Sequence, residues 1–124
     1  MDPLIIESAT RLPAVSLDAE TGKFFLSGRS LPEDGRGFYI SILQWVKEYA
    51  LAPAAETECS FRMEYFNSSS RKCFTDIFKI LSSMHQKGYA VKIIWYFEEP
   101  DDEMRDMGQW YQNIFKLDFQ FCSY

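Results

Sequence analysis

Short segments with a hydrophobic period of two alternate along this chain with longer segments whose period is that of an α-helix. From Glu58 to Tyr65 every second residue is apolar, the pattern of a strand with one face in a core. Between Tyr39 and Ala50 the apolar residues instead recur at intervals of three and four, which indicates one face of a helix. Because strands that alternate with helices pair through crossover connections, this order restricts the chain to an α/β fold with a largely parallel sheet.

The N-terminal part has the pattern of a hairpin. Ala14 to Asp18 and Lys23 to Gly28 are β-prone runs joined by a short polar connection that ends in Gly22, so we predict an antiparallel pair. Leu4 to Glu7 is a candidate for an earlier strand.

Three amphipathic helices follow. The first is predicted from Gly37 to Leu51, because Pro53 ends it. The second ends near Gly88 and buries Phe74, Ile77, Phe78, Leu81 and Met84. The third begins near Asp101 and buries Met104, Met107, Tyr111, Ile114 and Phe115.

Two further strands separate and follow the last helices. Val91 to Phe97 is apolar on both alternations apart from Lys92, as expected of an interior strand. In a last strand Leu117, Phe119 and Phe121 alternate with polar residues. We therefore predict one α/β domain over residues 1–124. It has a mixed sheet of about five to six strands, an N-terminal antiparallel hairpin and three main helices.

Charge and cysteine content narrow the class of function. A net charge of −5 from 13 basic and 18 acidic residues argues against nucleic acid as a partner. The three cysteines are widely spaced, unlike a zinc or redox motif, and are expected to be reduced and mostly buried. Without a signal peptide pattern or an apolar run of about 18 residues, we expect a cytoplasmic protein with no membrane contact.

The negative charge is concentrated in one segment. Between Glu98 and Asp106 lie six acids and one base, a local balance of −5, so the remaining residues carry 12 charges of each sign. Asp101 or Asp102 is expected to cap the third helix, with acids in its first turn complementing the helix dipole. A divalent-cation site would use the same oxygens, but the segment lacks the spacing of an EF-hand loop.

Candidate catalytic residues are few. The one histidine, His85, falls near the end of the second helix, where the negative end of the helix dipole favours an imidazole. No nucleophile-elbow, P-loop or dinucleotide-binding motif occurs. We therefore predict a protein without catalytic residues, metal ligands or a cofactor.

A polar run between the central strand and the second helix is a stronger candidate for a functional site. Asn67, Ser68, Ser69 and Ser70 suit a helix N-terminus, where side-chain oxygens accept bonds from first-turn N–H groups. A phosphoryl group here would meet the same N–H groups and the helix dipole, with Arg71 and Lys72 beside it. Composition alone leaves a plain cap and a phosphorylation switch both open.

These residues resemble a known family. The turn Tyr65-Phe66-Asn67-Ser68-Ser69-Ser70 looks like the phosphoacceptor turn of anti-sigma-factor antagonists, which have the STAS-type fold. The resemblance to the SiaC family of regulatory phosphoproteins is closer and covers nearly the whole chain. It rests on Pro13-x-Val15, Asp18-x-x-x-Gly22-x-Phe24, Gly28-Arg29-Ser30-x-Pro32-Glu33-Asp34, Phe38-Tyr39, Trp45-Val46 and Trp95-Tyr96-Phe97 before the acidic segment.

The resemblance implies a STAS-like, non-catalytic partner switch. It further implies phosphorylation by a serine/threonine protein kinase and dephosphorylation by a protein phosphatase. The effector that such a switch binds would be a protein such as a diguanylate cyclase of cyclic-di-GMP signalling. Ser68 matches the acceptor, and Ser69 and Ser70 match the flanking hydroxyls. Serine replaces the threonine that is frequent in this family, and Asn67 stands where many antagonists carry aspartate; both changes keep a hydroxyl and a cap.

The docking surface and the neighbourhood of the turn are also predicted. We expect partners to contact the helix beginning near Arg71, with Thr75, Asp101 and Asp102 as further surface residues. Parallel strands would place the acidic segment and Ser68 at the same edge of the sheet.

Two other functions are compatible with the residues. A small-anion or nucleotide-binding module would use the same helix N-terminus without modification, and a metal-dependent enzyme would use the acids from Glu98 to Asp106. The sequence does not decide whether Phe38, Trp45 and Trp110 belong to the core or to an interface, nor the oligomeric state.

Overall fold

A computed structural model describes residues 1–124, in which one sheet of six strands is built in the order of the sequence. The strands are β1 (Leu4–Ile6), β2 (Ala14–Asp18), β3 (Lys23–Ser30), β4 (Glu56–Phe66), β5 (Ala90–Phe97) and β6 (Asp118–Ser123). The helices are α1 (Gly35–Tyr49), α2 (Ser68–Gln86) and α3 (Asp102–Phe115).

The pairing of the strands matches the predicted mixed sheet. β1, β2 and β3 are antiparallel neighbours, whereas β3 to β6 are parallel. Each parallel pair is joined through one helix, as a crossover connection requires. β5 lies between β4 and β6, so the prediction of an interior strand there is confirmed.

All three helices cover the same face of the sheet. Phe24, Phe61 and Trp95 lie on that face of β3, β4 and β5. Their rings contact Trp45 of α1, Phe74 of α2 and Tyr111 of α3 respectively, at centroid separations of 5.3 to 5.8 Å. Contacts of this kind add about 0.5–1.5 kcal/mol each beyond the burial of apolar area.

The opposite face of the sheet carries no helix. Phe25 follows Phe24 in β3, so its side chain lies on this opposite face, where it is 49% exposed. The guanidinium of Arg62 lies 4.3 Å from the ring centroid of Tyr124 and 5.5 Å from that of Tyr96. In these cation–π contacts the Arg62 guanidinium packs on the aromatic rings. The contacts shield part of the face that no helix covers.

Several predicted boundaries were wrong by a few residues. α1 begins at Gly35 and ends at Tyr49, because the Asp34 carboxylate already accepts a bond from Gly37 N at 3.0 Å and caps the first turn. β3 continues past Gly28 to Ser30 through an irregularity in its register with β4. α2 begins at Ser68 rather than near Arg71, so the serines form its first turn.

The placement of exposed side chains corrects one prediction and answers an open one. Ile114 was expected in the core but is 51% exposed. α3 lies at one end of the helical layer, beside α2 alone, and its buried residues form a narrow stripe, Met104, Gly108 and Tyr111. Trp45 is buried, Phe38 is partly buried against the core, and Trp110 is exposed.

The cysteines are free, as predicted; Cys59 and Cys73 are buried and Cys122 is partly buried. Burial raises the pKa of the Cys59 thiol, because a thiolate loses its hydration there. None of the helices is both long enough and apolar enough to span a bilayer.

Candidate functional site

The polar run after β4 forms the capped start of α2. Asn67 Oδ1 accepts three hydrogen bonds, from Ser70 N at 3.0 Å, from Ser69 Oγ at 3.0 Å and from Ser70 Oγ at 2.8 Å. Its amide Nδ2 donates to Pro32 O at 3.1 Å. Asn67 therefore caps the helix and also ties it to the loop between β3 and α1.

Ser70 belongs to a buried group of hydroxyls beneath the turn. Its Oγ lies 2.8 Å from Ser30 Oγ, which lies 2.7 Å from Tyr39 OH. Ser30 and Ser70 are completely buried, and burial raises the pKa of the Tyr39 phenol. These bonds join β3, α1 and α2, so the first turn of α2 is held from below.

Ser69 is fixed on its other side by the start of α1. A Cβ atom at Gly35 would lie only 2.6 Å from Ser69 Oγ, so this close approach of the two helices requires glycine. Ser69 is half-buried as a result, while its hydroxyl donates to the Asn67 cap.

Ser68 differs from both neighbours. It is exposed, and its hydroxyl takes part in none of the side-chain bonds that hold Ser69 and Ser70. As the first residue of α2 it lies where backbone N–H groups lack partners within the helix. Of the three serines that the sequence presents together, the structure leaves Ser68 accessible to another protein.

Ser68 lines a shallow depression of about 220 Å³ between the starts of α2 and α3. The charged residues around it are Glu64, Arg71, Asp101 and Glu103. Asp101 Oδ1 accepts a bond from Met104 N at 3.0 Å and so caps α3, as predicted. The expected proximity of the acidic segment and Ser68 is confirmed, because Asp101 and Ser68 line the same depression.

The backbone of Arg71 is anchored to α3. Tyr111 OH donates to Arg71 O at 3.0 Å, and Thr75 Oγ1 donates to the same carbonyl oxygen at 3.0 Å. Burial raises the pKa of Tyr111 to about 12, since the phenolate would lose its hydration. The first turn of α2 is thus fixed from α1, β3 and α3.

The remaining predicted site residues are distributed around this turn. Lys72 lines a separate groove between α1 and α2 rather than the depression at Ser68. Thr75 is partly buried against its own helix. Asp102 is exposed and pairs with Arg105 at 3.3 Å.

Sequence reasoning did not identify Ser30, Tyr39 or Gly35 as supports of the turn. Ser30 and Tyr39 lie far from Ser70 in the chain; Ser30 precedes Ser70 by 40 positions. The signal that existed was their presence in the Gly28-Arg29-Ser30 and Phe38-Tyr39 segments that carry the family resemblance.

His85 is exposed near the end of α2. No group of three or more His, Cys, Asp or Glu side chains is arranged to hold a metal ion.

Comparison with known proteins now gives the family. The model of the family described as "SiaC family regulatory phosphoprotein" matches residues 6–124. The chain belongs to the SiaC family. A Pseudomonas aeruginosa relative, itself uncharacterised, is 26% identical over 109 residues, which cover 88% of this chain and 86% of that protein.

Solved structures of SiaC from Pseudomonas aeruginosa share the fold. Apo-SiaC superposes with a TM-score of 0.90 at 24% identity, covering 98% of this chain and 99% of that one. A second SiaC structure gives 0.87 at 25% identity over 100% of both chains. A third is a complex of the diguanylate cyclase SiaD with its activator SiaC, where the score is 0.90 at 24% identity, with 98% and 99% covered.

Proposed function

We propose that this protein is a non-catalytic partner switch controlled by reversible phosphorylation of Ser68. The observation that carries the proposal is the difference among three adjacent serines: Ser70 is buried, Ser69 is wedged against Gly35, and Ser68 is exposed. A kinase must bring its substrate hydroxyl to the γ-phosphate of ATP, and Ser68 meets that requirement without unfolding of the turn.

The local charges explain why the modification would act as a switch. Glu64, Asp101 and Glu103 against Arg71 give the depression a charge of −2, from three acids and one base. A phosphoryl group would add roughly two more negative charges. This doubling would oppose an acidic partner that docks beside Ser68 in the unmodified protein.

The same geometry makes a free anion a poor ligand. An unattached phosphate or nucleotide would gain the N–H groups of the first turn but would meet the three carboxylates around Ser68. A covalent phosphoester is held there regardless of this repulsion, since a kinase drives its formation with ATP. The charges therefore favour modification over the alternative of an anion-binding module.

Membership of the family supports an effector protein as partner. SiaC of Pseudomonas aeruginosa forms a complex with the diguanylate cyclase SiaD as its activator. We infer for this chain an effector of that class, bound by the unphosphorylated form, together with a dedicated kinase and phosphatase. A cytoplasmic location accords with such partners.

Phosphorylation of the purified protein tests the proposal. The protein is incubated with ATP and candidate serine kinases of the same organism, and the site is located by mass spectrometry. We expect phosphate on Ser68 and its loss in Ser68→Ala, while the matched control Ser69→Ala is still modified. Phosphate on Ser69 or Ser70, or none on the turn with a kinase that modifies other substrates, would contradict the proposal.

The effector is tested in a second assay. A diguanylate cyclase of the same organism is titrated with the unmodified protein, with Ser68→Ala and with protein phosphorylated on Ser68. We expect the first two to bind alike and to raise cyclic-di-GMP synthesis, and the phosphorylated form to do neither. Equal binding by all three would contradict control through Ser68.

A further inference from the structure

A groove runs between the parallel helices α1 and α2, beside the phosphoacceptor turn. It has a volume of about 680 Å³, and its apolar floor consists of Ile40, Leu43, Cys73 and Ile80. A smaller depression of about 270 Å³ shares Lys47, Lys79 and Ile80 with it and extends it to Lys87. Ile40 is 49% exposed, so this floor is incompletely covered by the chain itself.

The rim of the groove is basic in an acidic protein. Five of the 13 basic residues line the two depressions, and they are Arg36, Lys47, Lys72, Lys79 and Lys87. Three acids, Glu33, Asp34 and Asp76, line them as well, which leaves a local charge of +2 on a chain of −5.

These bases are mostly not neutralised within the chain. Lys79 lies 4.0 Å from Asp76, and this is the one ion pair among them. Asp34 is already engaged in capping α1. An acidic partner would therefore find basic side chains available along both sides of an apolar floor.

We propose that the α1–α2 groove binds an amphipathic helix with acidic residues flanking its apolar stripe, supplied by the effector protein. Two parallel helices with an apolar trough between them form the surface into which a third helix packs its ridges. α1 has 15 residues, a length of about 22 Å. The groove accordingly accommodates about four turns of a bound helix, with carboxylates placed against the basic rim.

The position of the groove connects it to Ser68, and this part rests on the proposed function. The groove begins at Ser69 and Gly35, one residue from the phosphoacceptor. A phosphoryl group on Ser68, in the neighbouring depression, would therefore lie close to this end of the groove and repel an acidic helix bound there. The basic rim explains attraction of the partner, and the phosphate explains its release.

The test uses matched substitutions on the full chain. Ile40→Glu, in the groove floor, is paired with Ile114→Glu on α3, because these isoleucines are 49% and 51% exposed. Lys47→Glu is paired with Lys116→Glu, since Lys47 lies in the last turn of α1 and Lys116 caps α3. Each pair makes the same change of charge, and all four residues are exposed. Circular dichroism verifies that all four fold.

Two probes are used, so that failure of the groove and failure of the proposed function are distinguishable. The first is a diguanylate cyclase of the same organism. The second is a synthetic 18-residue helical peptide with a leucine stripe flanked by glutamates, compared by fluorescence anisotropy with a scrambled peptide of the same composition.

We expect each groove variant to weaken binding of both probes by about tenfold, as removal of a central contact does, and each control to bind like the wild type. Affinity should fall with added salt. If wild type binds the cyclase and the groove variants bind equally well, the groove proposal is wrong while the proposed function stands. If the wild type does not bind the cyclase at all, the proposed effector is wrong, and binding of the peptide then decides whether the groove proposal holds. Preference for the scrambled peptide, a DNA oligonucleotide or anionic vesicles over the acidic helix would overturn the groove proposal.

Discussion

Replacing Ser68 and Ser70 separately by alanine should have very different effects on stability, although the residues are two positions apart in one helical turn. Ser68→Ala removes an exposed hydroxyl that takes no part in the side-chain hydrogen bonds of the turn. We expect the free energy of unfolding to change by no more than about 0.5 kcal/mol, as is usual for surface positions.

Ser70→Ala removes a hydroxyl that bonds in the interior. Ser70 Oγ lies within 2.8 Å of both Ser30 Oγ and Asn67 Oδ1, and one hydroxyl can donate one bond and accept another. Each of these two hydrogen bonds contributes about 0.5–1.5 kcal/mol to stability. The higher helix propensity of alanine offsets about 0.5 kcal/mol of their loss. Ser30 keeps its bond to Tyr39, but one of these two buried hydroxyls loses the acceptor for its proton, which adds to the cost, so the net loss should be about 2 kcal/mol.

Urea denaturation followed by tryptophan fluorescence measures both variants, because Trp95 is buried in the core. For a chain of this size the slope of unfolding free energy against urea is about 1–2 kcal/mol per M, so the midpoint of Ser70→Ala should fall by about 1 M. The midpoint of Ser68→Ala should stay near that of the wild type. Equal losses, or a larger loss for Ser68→Ala, would refute the assignment of Ser68 as the free hydroxyl.

Three further perturbations test the supports of the fold and the turn. Asn67→Ala removes the cap and its bond to the β3–α1 loop. We expect the free energy of unfolding to fall by about 1–2 kcal/mol and hydrogen exchange in the first turn of α2 to become faster. Unchanged exchange would contradict this role of Asn67. Gly108→Ala would place a Cβ atom 2.6 Å from Trp95 Nε1. It should cost about 1–3 kcal/mol in urea unfolding, against little change for the exposed neighbour Gln109→Ala. The pKa of Tyr111 is raised from 10.0 to about 12, so the unfolded state loses its proton first and stability falls as pH rises through that interval. Tyr111→Phe should reduce this fall by up to about 1.4 kcal/mol per pH unit in urea titrations at successive pH values, and an unaltered slope would contradict it.

The hydrophobic periods of the sequence were sufficient to give the class of fold. Periods of two and of 3.6 reflect which side chains share a face of a strand or helix, and that depends only on neighbours in the chain. The order of strands and helices, the hairpin and the cap composition at Asn67 were predicted for this reason. Ile114 was wrongly placed in the core because burial on α3 depends on how far the neighbouring layer extends, which periodicity does not contain.

The charges divide in the same way. The concentration of acids between Glu98 and Asp106 is visible in the sequence, and the parallel order of strands predicted its proximity to Ser68. The basic rim of the α1–α2 groove was not visible, because residues from Arg36 to Lys87 come together only when the two helices pack side by side.

The sequence by itself determined that three hydroxyls stand at a helix N-terminus suited to an anion, since a cap is a local property of consecutive residues. Only the tertiary structure decided which of them another protein can reach. Ser30 and Tyr39 bury Ser70 from distant parts of the chain, and Gly35 admits Ser69 so closely that it is half-buried. Ser68 is left exposed because no distant segment packs over it, and such contacts between remote residues are fixed by folding rather than by the composition of the turn.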